Sequence, residues 1–310
     1  MKKISVITGV LNEEEIVRDV YEQIKNIFKD LASDYEYEHI FLDNASTDRT
    51  LEILKGIAAN DKNVKVLSYS KNFGSIKSEM TGYRHATGDA VITFEGSLKD
   101  PAELIPEFIR QWEQGYQVVY GVRNKTSDNL IMGLLRKIFY IGINAISEEK
   151  LQVNVGTYRL IDRKVVNELV KLDDYKPYIR GLIASIGFKQ KGISYKRKAR
   201  LKGKSKSNLF YLIDFAINGL VSYSILPIRF CTYIGFLMAV FSFLFAIVYL
   251  VLKVFFWPVQ IPAVAGLLLF VLIVSGVQLF FLGVIGEYVG AIHSQVRKKP
   301  FVIIREKINF

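Results

Sequence analysis

The stretch that decides the fold is residues 64–123, VKVLSYSKNFGSIKSEMTGYRHATGDAVITFEGSLKDPAELIPEFIRQWEQGYQVVYGVR. Three short apolar runs in it, at 64–67, 90–94 and 117–120, alternate with two helical patterns. Strands that alternate with helices indicate βαβ units and a parallel sheet. Ligands of such sheets bind beyond the carboxyl ends of the strands. Glu95 and Arg123 follow two of these runs, so they are the first candidate site residues.

The same alternation covers the N-terminal part of the chain. Apolar runs at Ile4–Val10 and His39–Leu42 predict the first two strands. Apolar residues at helical spacing predict a helix that ends near Leu31 and a second one over Thr50–Asn60. The sequence therefore predicts an α/β domain in which short polar segments follow the strands.

Two of these polar segments carry candidate ligand residues. Asn12 and Glu13 follow the first strand, where Asn12 can cap the next helix and Glu13 suits its first turn. Asp43 and Asn44 follow the second strand, where short polar side chains make local turns or cap a helix. A carboxylate in either place could instead accept a hydrogen bond from a base or ribose. From these residues alone, both interpretations stay open.

The C-terminal part has a different composition. Residues 230–252 and 254–286 carry no charged side chain. About 20 apolar residues span a bilayer, so we predict transmembrane helices over 230–252 and 262–286. Basic residues precede the first span and follow the second, at Arg297–Lys299, while the short connection holds Lys253. The positive-inside rule then places both ends in the cytoplasm.

Charge and cysteine content restrict the function further. The formal net charge is +11, and residues 189–206 hold nine Lys or Arg. A basic block beside apolar spans favours an anionic membrane surface or phosphate groups over nucleic acid as the binding partner.

Cys231 is the only cysteine, which excludes an internal disulfide and fits a reducing compartment. The N-terminus is not expected to be a signal peptide.

These observations predict four regions. They are an α/β core over 1–125, a juxtamembrane region over 126–228, a two-helix transmembrane hairpin over 229–290, and a cytoplasmic tail over 291–310. Within the second region, the apolar segment 130–146 lies either in the membrane interface or in the core. Residues 209–223 are predicted to form an amphipathic helix.

Several motifs together resemble those of one enzyme family over essentially the whole chain. The chain resembles family 2 glycosyltransferases of the polyprenyl-phosphate type, which include bactoprenol glucosyltransferases and dolichol-phosphate mannose synthase. Each motif is weak alone, and their order and spacing are specific. They are Asn12-Glu13-Glu14, Asp43-x-x-Ser46-Thr47-Asp48, Asn72-Phe73-Gly74, Asp100-Pro101-x-Glu103-Leu104-Ile105-Pro106, Tyr120-Gly121-x-Arg123, Tyr158-Arg159-Leu160-Ile161-Asp162-Arg163, and Arg200 with Gly203-x-Ser205-Lys206.

The resemblance implies a GT-A fold and an inverting hexosyl transfer. Residues 1–125 would then be the nucleotide-sugar-binding core, and residues 126–228 would form the acceptor-side region. The donor would be a nucleotide sugar, with UDP-glucose favoured, and the acceptor polyprenyl (undecaprenyl) phosphate. The enzyme would be a multi-pass protein of the inner (plasma) membrane with a cytoplasmic catalytic domain. A homo-oligomer, with a tetramer as one candidate, and a partner flippase are implied in the same way.

The resemblance also implies roles for individual residues. Three basic residues would hold the reacting phosphates: Arg123, Arg200 and Lys206. Six positions would line the nucleotide: Gly9, Leu11, Glu13, Asp43, Asn44 and Glu95. Three would face the acceptor or its phosphate: Lys99, Asn154 and Arg159. Glu95 and Ser97 would be the ligands of Mg²⁺ or Mn²⁺.

The sequence departs from the family pattern at the site itself. The usual Asp-x-Asp motif is Glu95-Gly96-Ser97, and Lys99 stands where the family usually has Gln. Further carboxylates are replaced at Asn44, Asn154 and Thr157. Three outcomes stay open: an enzyme with weaker metal affinity, an enzyme that relies on Lys and Arg, or an inactive paralogue that acts as a membrane scaffold or partner-binding protein. A processive polysaccharide synthase is disfavoured because no Gln-x-x-Arg-Trp motif occurs.

Overall fold

The computed structural model describes residues 1–96, 98–124, 155–172, 174–175, 177–196, 226–255, 263–297 and 300–310. The chain forms two compact units, Met1–Asn208 with Lys298–Phe310, and Leu209–Arg297. The predicted interfacial or core segment at 130–146 and the predicted amphipathic helix at 209–223 lie outside the described residues. So do four candidate site residues: Ser97, Asn154, Arg200 and Lys206.

The first unit is an α/β domain. Its elements, in chain order, are β1 (Lys2–Val10), α1 (Val17–Asp30), β2 (Tyr35–Asp43), α2 (Thr50–Asn60), β3 (Val64–Tyr69), α3 (Ser75–His85), β4 (Ala90–Thr93), a 3₁₀ turn (Ala102–Leu104), α4 (Ile105–Glu113), β5 (Val118–Arg123), β6 (Val155–Asp162), α5 (Arg163–Lys171), α6 (Ile179–Ser185), β7 (Gln190–Tyr195) and, after the second unit, β8 (Ile304–Ile308). The predicted α/β class is confirmed.

The strands form one sheet in the order β7-β5-β6-β4-β1-β2-β3-β8. The central strands β4, β1, β2 and β3 are parallel, as predicted. The predicted parallel sheet does not extend to the strands beside them, because β6 runs antiparallel to β4 and β5, and β8 runs antiparallel to β3. Since β4 and β5 both oppose β6, they point the same way. Glu95, which follows β4, and Arg123, the last residue of β5, therefore lie at the same edge.

Both faces of the sheet are buried. Successive side chains of a strand point to opposite faces, so Val6 and Phe41 pack in one core cluster with α1, α2 and α4. Ile7 and Leu42 pack in the other cluster with α3, α5 and α6. Burial on both faces explains why these strands appear in the sequence as continuous apolar runs.

The loop after β1 differs from the prediction. Helix α1 begins at Val17, and its N-cap, Ile16, makes no side-chain cap hydrogen bond. Asn12 therefore does not cap α1. Its backbone has a φ of 52°, and its Oδ1 accepts a hydrogen bond from the Thr47 backbone N at 2.7 Å. Asn12 instead ties the loop after β1 to the loop after β2, a long-range contact that helix-capping rules do not consider.

The second unit contains two long helices, α7 (Leu226–Phe255) and α8 (Ala263–Val296). Within them, Ile228–Leu252 and Ile273–Val296 have mean hydropathies of 2.6 and 1.6. By length and composition, both helices could cross a membrane. The two predicted apolar helices are thus present. Helix α8 continues beyond the predicted end at residue 286 to Val296. The prediction ended at the last uncharged residue, but a charged residue such as Glu287 can continue a helix.

Candidate functional site

Two loops at the carboxyl edge of the sheet are joined by hydrogen bonds. The Asn12 backbone N donates to Ser46 Oγ at 3.0 Å, and the Glu13 backbone N donates to Thr50 Oγ1 at 2.8 Å. These bonds place the Asn12-Glu13 motif against the Ser46-Thr47-Asp48 motif. Two motifs that are separate in the sequence thus form one surface, with Glu13 and Leu11 half-buried on it.

Asp43 and Asn44 are buried beneath this surface. Asp43 Oδ1 accepts from the Ser46 backbone N at 3.0 Å, and its Oδ2 accepts from Ser68 Oγ at 2.9 Å. Asn44 Oδ1 accepts from the Phe73 backbone N at 2.8 Å. Both side chains therefore hold loops in place. Their direct contact with a nucleotide stays a prediction.

The loop after β4 lies directly on the end of β1. A Cβ at Gly96 would lie 3.0 Å from the Gly9 carbonyl oxygen and 3.2 Å from Val10 Cγ1. Only glycine permits this approach without displacement of its neighbours. The approach brings the exposed Gly9 and the half-buried Glu95 to the same edge of the sheet.

Arg123 and Glu95 form the centre of the site. Arg123 Nη2 lies 3.3 Å from Glu95 Oε1, and their side chains are 19% and 30% exposed. Thr157 Oγ1 donates to the same Glu95 oxygen at 3.1 Å. A Cβ at Gly156 would clash with the Arg123 guanidinium, so a glycine there makes room for that group. The structure thus joins two predicted residues and adds Thr157 as a neutral partner.

Tyr195, a residue that the sequence analysis missed, supports Arg123 from β7. Its hydroxyl donates to Asp100 Oδ1 at 2.5 Å and accepts from Arg123 Nε at 3.3 Å. Burial and the bond to Asp100 raise the pKa of Tyr195, so it stays protonated. Burial alone would lower the pKa of Arg123, but Tyr195, Glu95 and Asp100 raise it overall. Tyr195 lies opposite Arg123 in the adjacent strand. No sequence pattern indicates this pairing, because the two residues meet only in the folded sheet.

Two further titratable side chains, Arg159 and Glu79, are buried near the site. The Arg159 guanidinium donates to the carbonyl oxygens of Gly156, at 2.9 Å, and Thr157, at 3.2 Å. Glu79, also missed, accepts from the Tyr83 hydroxyl at 2.9 Å. Burial raises the pKa of Glu79, and the positive charge of Arg159 opposes this shift. Arg159 thus stabilises the β6 end of the site, and its predicted phosphate contact stays a prediction.

The described oxygen donors do not fit a divalent cation. Within the described ranges, no group of three or more His, Cys, Asp or Glu side chains could hold a metal. Glu95 Oε1 already accepts from Arg123 and Thr157, and the buried Asp100 accepts from Tyr195. Mg²⁺ and Mn²⁺ prefer oxygen ligands, carboxylates above all. Of the predicted pair, Glu95 faces a guanidinium, and Ser97 lies outside the described residues.

The arrangement instead favours the binding of anions. Arg123 presents a fork of N–H donors suited to phosphate oxygens. Lys99 is half-buried in the loop between Glu95 and Asp100. A part-exposed guanidinium at the carboxyl edge of an α/β sheet can hold a diphosphate and stabilise the negative charge that develops on it as a leaving group.

Comparison with known proteins agrees with this geometry. The family model described as glycosyl transferase family 2 matches residues 5–170. The SfII prophage-derived bactoprenol glucosyl transferase of Shigella flexneri is 34% identical over 98% of both chains. The uncharacterized glycosyltransferase YkcC of Bacillus subtilis is 33% identical over 97% of this chain and 93% of its own length.

Among solved structures, the chain is similar to glucosyl-3-phosphoglycerate synthase from Mycobacterium tuberculosis, in complex with Mn²⁺, UDP and glucosyl-3-phosphoglycerate. The identity is 20% and the TM-score 0.47, over 71% of this chain and 78% of that chain. The family match and the mixed sheet together confirm the predicted GT-A class. The relatives confirm the predicted resemblance to the polyprenyl-phosphate type. The chain belongs to glycosyl transferase family 2 and is a glycosyltransferase.

Proposed function

We propose that the protein transfers glucose from UDP-glucose to undecaprenyl phosphate with inversion at the anomeric carbon. The bactoprenol glucosyl transferases that match it end to end support this choice of sugar and of acceptor class. The single observation that carries the proposal is the placement of Arg123. Glu95 and Tyr195 hold its guanidinium at the carboxyl edge of the sheet, where the donor diphosphate would bind.

The chemistry makes modest demands on the protein. A phosphate monoester is already anionic near pH 7, so the acceptor oxygen can attack the anomeric carbon without a strong general base. The glycosidic bond to the nucleoside diphosphate breaks as the new bond forms on the opposite face. The protein must position the two substrates and neutralise the leaving diphosphate.

Arg123 can neutralise the leaving diphosphate without losing its orientation. A guanidinium has five N–H donors, and Nε is directed at Tyr195 while Nη2 faces Glu95. Displacement of the long Glu95 contact by a phosphate oxygen would free a donor, while Tyr195 and Asp100 keep the side chain in place. Arg200 and Lys206 would add positive charge on the acceptor side.

The proposed cellular setting follows from the second unit. Helices α7 and α8 would cross the inner membrane, with the basic flanks and the α/β unit on the cytoplasmic side. Nucleotide sugars and the polyprenyl phosphate headgroup would then meet at that face. A homo-oligomer and a flippase that carries the product across are proposed from the family resemblance alone.

For the cofactor, we propose that the protein depends less on a divalent cation than an enzyme with an intact Asp-x-Asp motif. A bound Mg²⁺ or Mn²⁺ would supply positive charge to the diphosphate. In this chain Arg123 already supplies such charge beside Glu95, and Lys99 lies in the same loop. The main steps of positioning and neutralisation can therefore be assigned to side chains.

A catalytically inactive membrane scaffold is the second candidate. It is favoured by the ion pair itself, because Glu95 and Arg123 neutralise each other where the family usually carries a metal-binding carboxylate. The carboxylates replaced at Asn44, Asn154 and Thr157 favour it as well. It predicts that no nucleotide sugar is turned over with any metal.

The test is a product assay with the full chain purified in detergent. Undecaprenyl phosphate is offered with a panel of UDP- and GDP-sugars, each with Mg²⁺, with Mn²⁺ and with EDTA. Mass spectrometry detects the lipid-linked sugar. We expect glucosyl phosphoundecaprenol from UDP-glucose, with substantial activity in EDTA. Complete loss in EDTA would refute the reduced metal dependence. No product in any reaction, while the Shigella flexneri relative is active in the same detergent, would favour the scaffold.

A further inference from the structure

The C-terminal strand β8 lies outside the residues that the family model matches, yet it is part of the sheet. It runs antiparallel to β3, and the Ser70 backbone N donates to the Ile303 carbonyl at 3.0 Å. Asn309 Nδ2 donates to the carbonyls of Ala58 and Val64 at 2.7 and 2.8 Å. These contacts fix the strand along its length, so its side chains have defined positions beside β3.

One side chain of β8 reaches the loop cluster of the site. Arg305 Nη2 donates to Ser68 Oγ at 3.0 Å, and Ser68 Oγ donates to Asp43 Oδ2 at 2.9 Å. Asp43 Oδ1 accepts from the Ser46 backbone N at 3.0 Å. A continuous path of hydrogen bonds therefore runs from the C-terminal strand to the loop after β2. That loop carries Ser46 and Thr47, which contact the Asn12-Glu13 loop.

The donors and acceptors of this path allow only one direction. A guanidinium has donors and no acceptor, and a hydroxyl has a single proton. Ser68 must accept from Arg305 and can then donate only to Asp43. The carboxylate is in turn fixed between Ser68 and the Ser46 backbone. Because Asp43 and Ser68 are fully buried, this order is held without exchange with bulk solvent.

We infer that Arg305 is a positioning residue for the nucleoside diphosphate part of the donor site. It acts through Ser68 and Asp43, and it sets the shape of the loop against which the nucleoside would bind. The inference rests on the proposed function, since it assigns a residue to the same nucleotide site. It makes the last residues of the chain, which follow helix α8, part of that site.

A matched control lies on the same strand. Lys307 carries the same charge and is exposed like Arg305, but its Nζ lies 3.3 Å from His85 Nε2 and reaches no residue of the Asp43 path. Loss of Lys307 removes one positive charge from β8 and leaves the path intact. A comparison of the two variants separates the specific path from general charge and from the stability of the strand.

The experiment measures the affinity of the full chain in detergent for UDP by titration calorimetry, together with the KM for UDP-glucose and kcat. We expect R305A to bind UDP up to about tenfold more weakly, because the lost bond to Ser68 lies within the protein and affects UDP only through the loop after β2. K307A should bind as the unaltered chain does. S68A should weaken binding at least as much as R305A, because it also leaves Asp43 Oδ2 without its donor. The double variant should be no weaker than S68A alone, because both changes interrupt one path. For R305A, KM should rise while kcat stays within about twofold, since a positioning role acts on binding.

Several results would overturn the inference. Equal UDP affinity of R305A and K307A would exclude a specific role of Arg305 while leaving the proposed function intact. Additive losses in R305A and S68A would show two separate contributions. A lower melting temperature of R305A than of K307A, with UDP affinity lost in proportion to the unfolded fraction, would assign Arg305 to strand stability. No binding of UDP or GDP by the unaltered chain would overturn the inference together with the proposed function.

Discussion

Two glutamates at opposite edges of the same sheet face basic side chains in different ways. Near the amino edge, the Glu38 side chain is 2% exposed and accepts from Lys65 Nζ at 2.7 Å, Ser5 Oγ at 2.6 Å and the Thr87 backbone N at 2.7 Å. At the carboxyl edge, the Glu95 side chain is 30% exposed, and Arg123 and Thr157 contact it at 3.3 and 3.1 Å.

The difference separates a structural acid from one that can exchange partners. Burial alone would raise the pKa of Glu38, but the bonds from Lys65, Ser5 and Thr87 lower it to about 2. Such a carboxylate is fully satisfied by the fold. Glu95 and Arg123 keep longer contacts and solvent access, so a phosphate can replace one partner at small cost. The contacts of Glu38 with Lys65, Ser5 and Thr87 therefore stabilise the fold, whereas the Glu95–Arg123 ion pair is available for binding.

The largest expected effect is the loss of activity in Arg123→Ala. Removal of the guanidinium leaves the diphosphate without its neutralising group, so we expect glycolipid formation to fall by about 10²-fold or more. The melting temperature should fall as well, because the Arg123 side chain is only 19% exposed and faces the buried Asp100. Activity is therefore compared at a temperature at which the variant remains folded. Product formation is measured by mass spectrometry, with Arg110→Ala, an exposed arginine of α4, as the control. Full activity of Arg123→Ala would remove Arg123 from the site.

At the other edge, Glu38→Gln should affect stability and leave the chemistry unchanged. The two lysines near it, Lys3 and Lys65, would lose their anionic partner, and we expect a loss of about 2 kcal/mol. This corresponds to an apparent melting temperature lower by about 5 °C. Glu36→Gln, an exposed neighbour on β2, is the control. An unchanged melting temperature would contradict the structural role of Glu38.

The pH dependence of the same variant sharpens the comparison. The pKa of Glu38 in the fold, about 2, lies below its ordinary value of 4.5. Its stabilising contribution is therefore complete above pH 4.5 and is lost as the pH falls towards 2. The difference in melting temperature between Glu38→Gln and the unaltered chain should narrow below pH 4.5. A difference that stays constant down to pH 3 would show that the contribution is not ionic.

The smallest stability effect is expected for Glu95→Gln. The contact with Arg123 is long, at 3.3 Å, and a glutamine oxygen can still accept from Arg123 and Thr157, so the melting temperature should change by about 2 °C or less. UDP affinity should be unchanged or higher, because Arg123 loses its competing carboxylate. A loss of stability as large as that of Glu38→Gln would end the distinction between the two glutamates.

The local elements of this protein could be predicted from the sequence. Helix α2 has the predicted bounds, and the four central strands follow the apolar runs, because burial on both faces requires continuous apolar segments. The apolar C-terminal helices are also a matter of composition. Glu95 and Arg123 could be selected because both follow strands, and the position of a residue along one strand is local information.

The pairing of those elements could be decided only by the tertiary structure. The sequence does not show that β6 enters the sheet antiparallel, that Tyr195 lies beside Arg123, or that Arg305 reaches Ser68 from the end of the chain. These contacts join residues distant in sequence, and no local periodicity records them. The sequence by itself thus determined which residues could carry the chemistry. Tertiary packing decided which partners orient them, because strand order and side-chain hydrogen bonds depend on the free energy of the whole folded chain and not on any local segment.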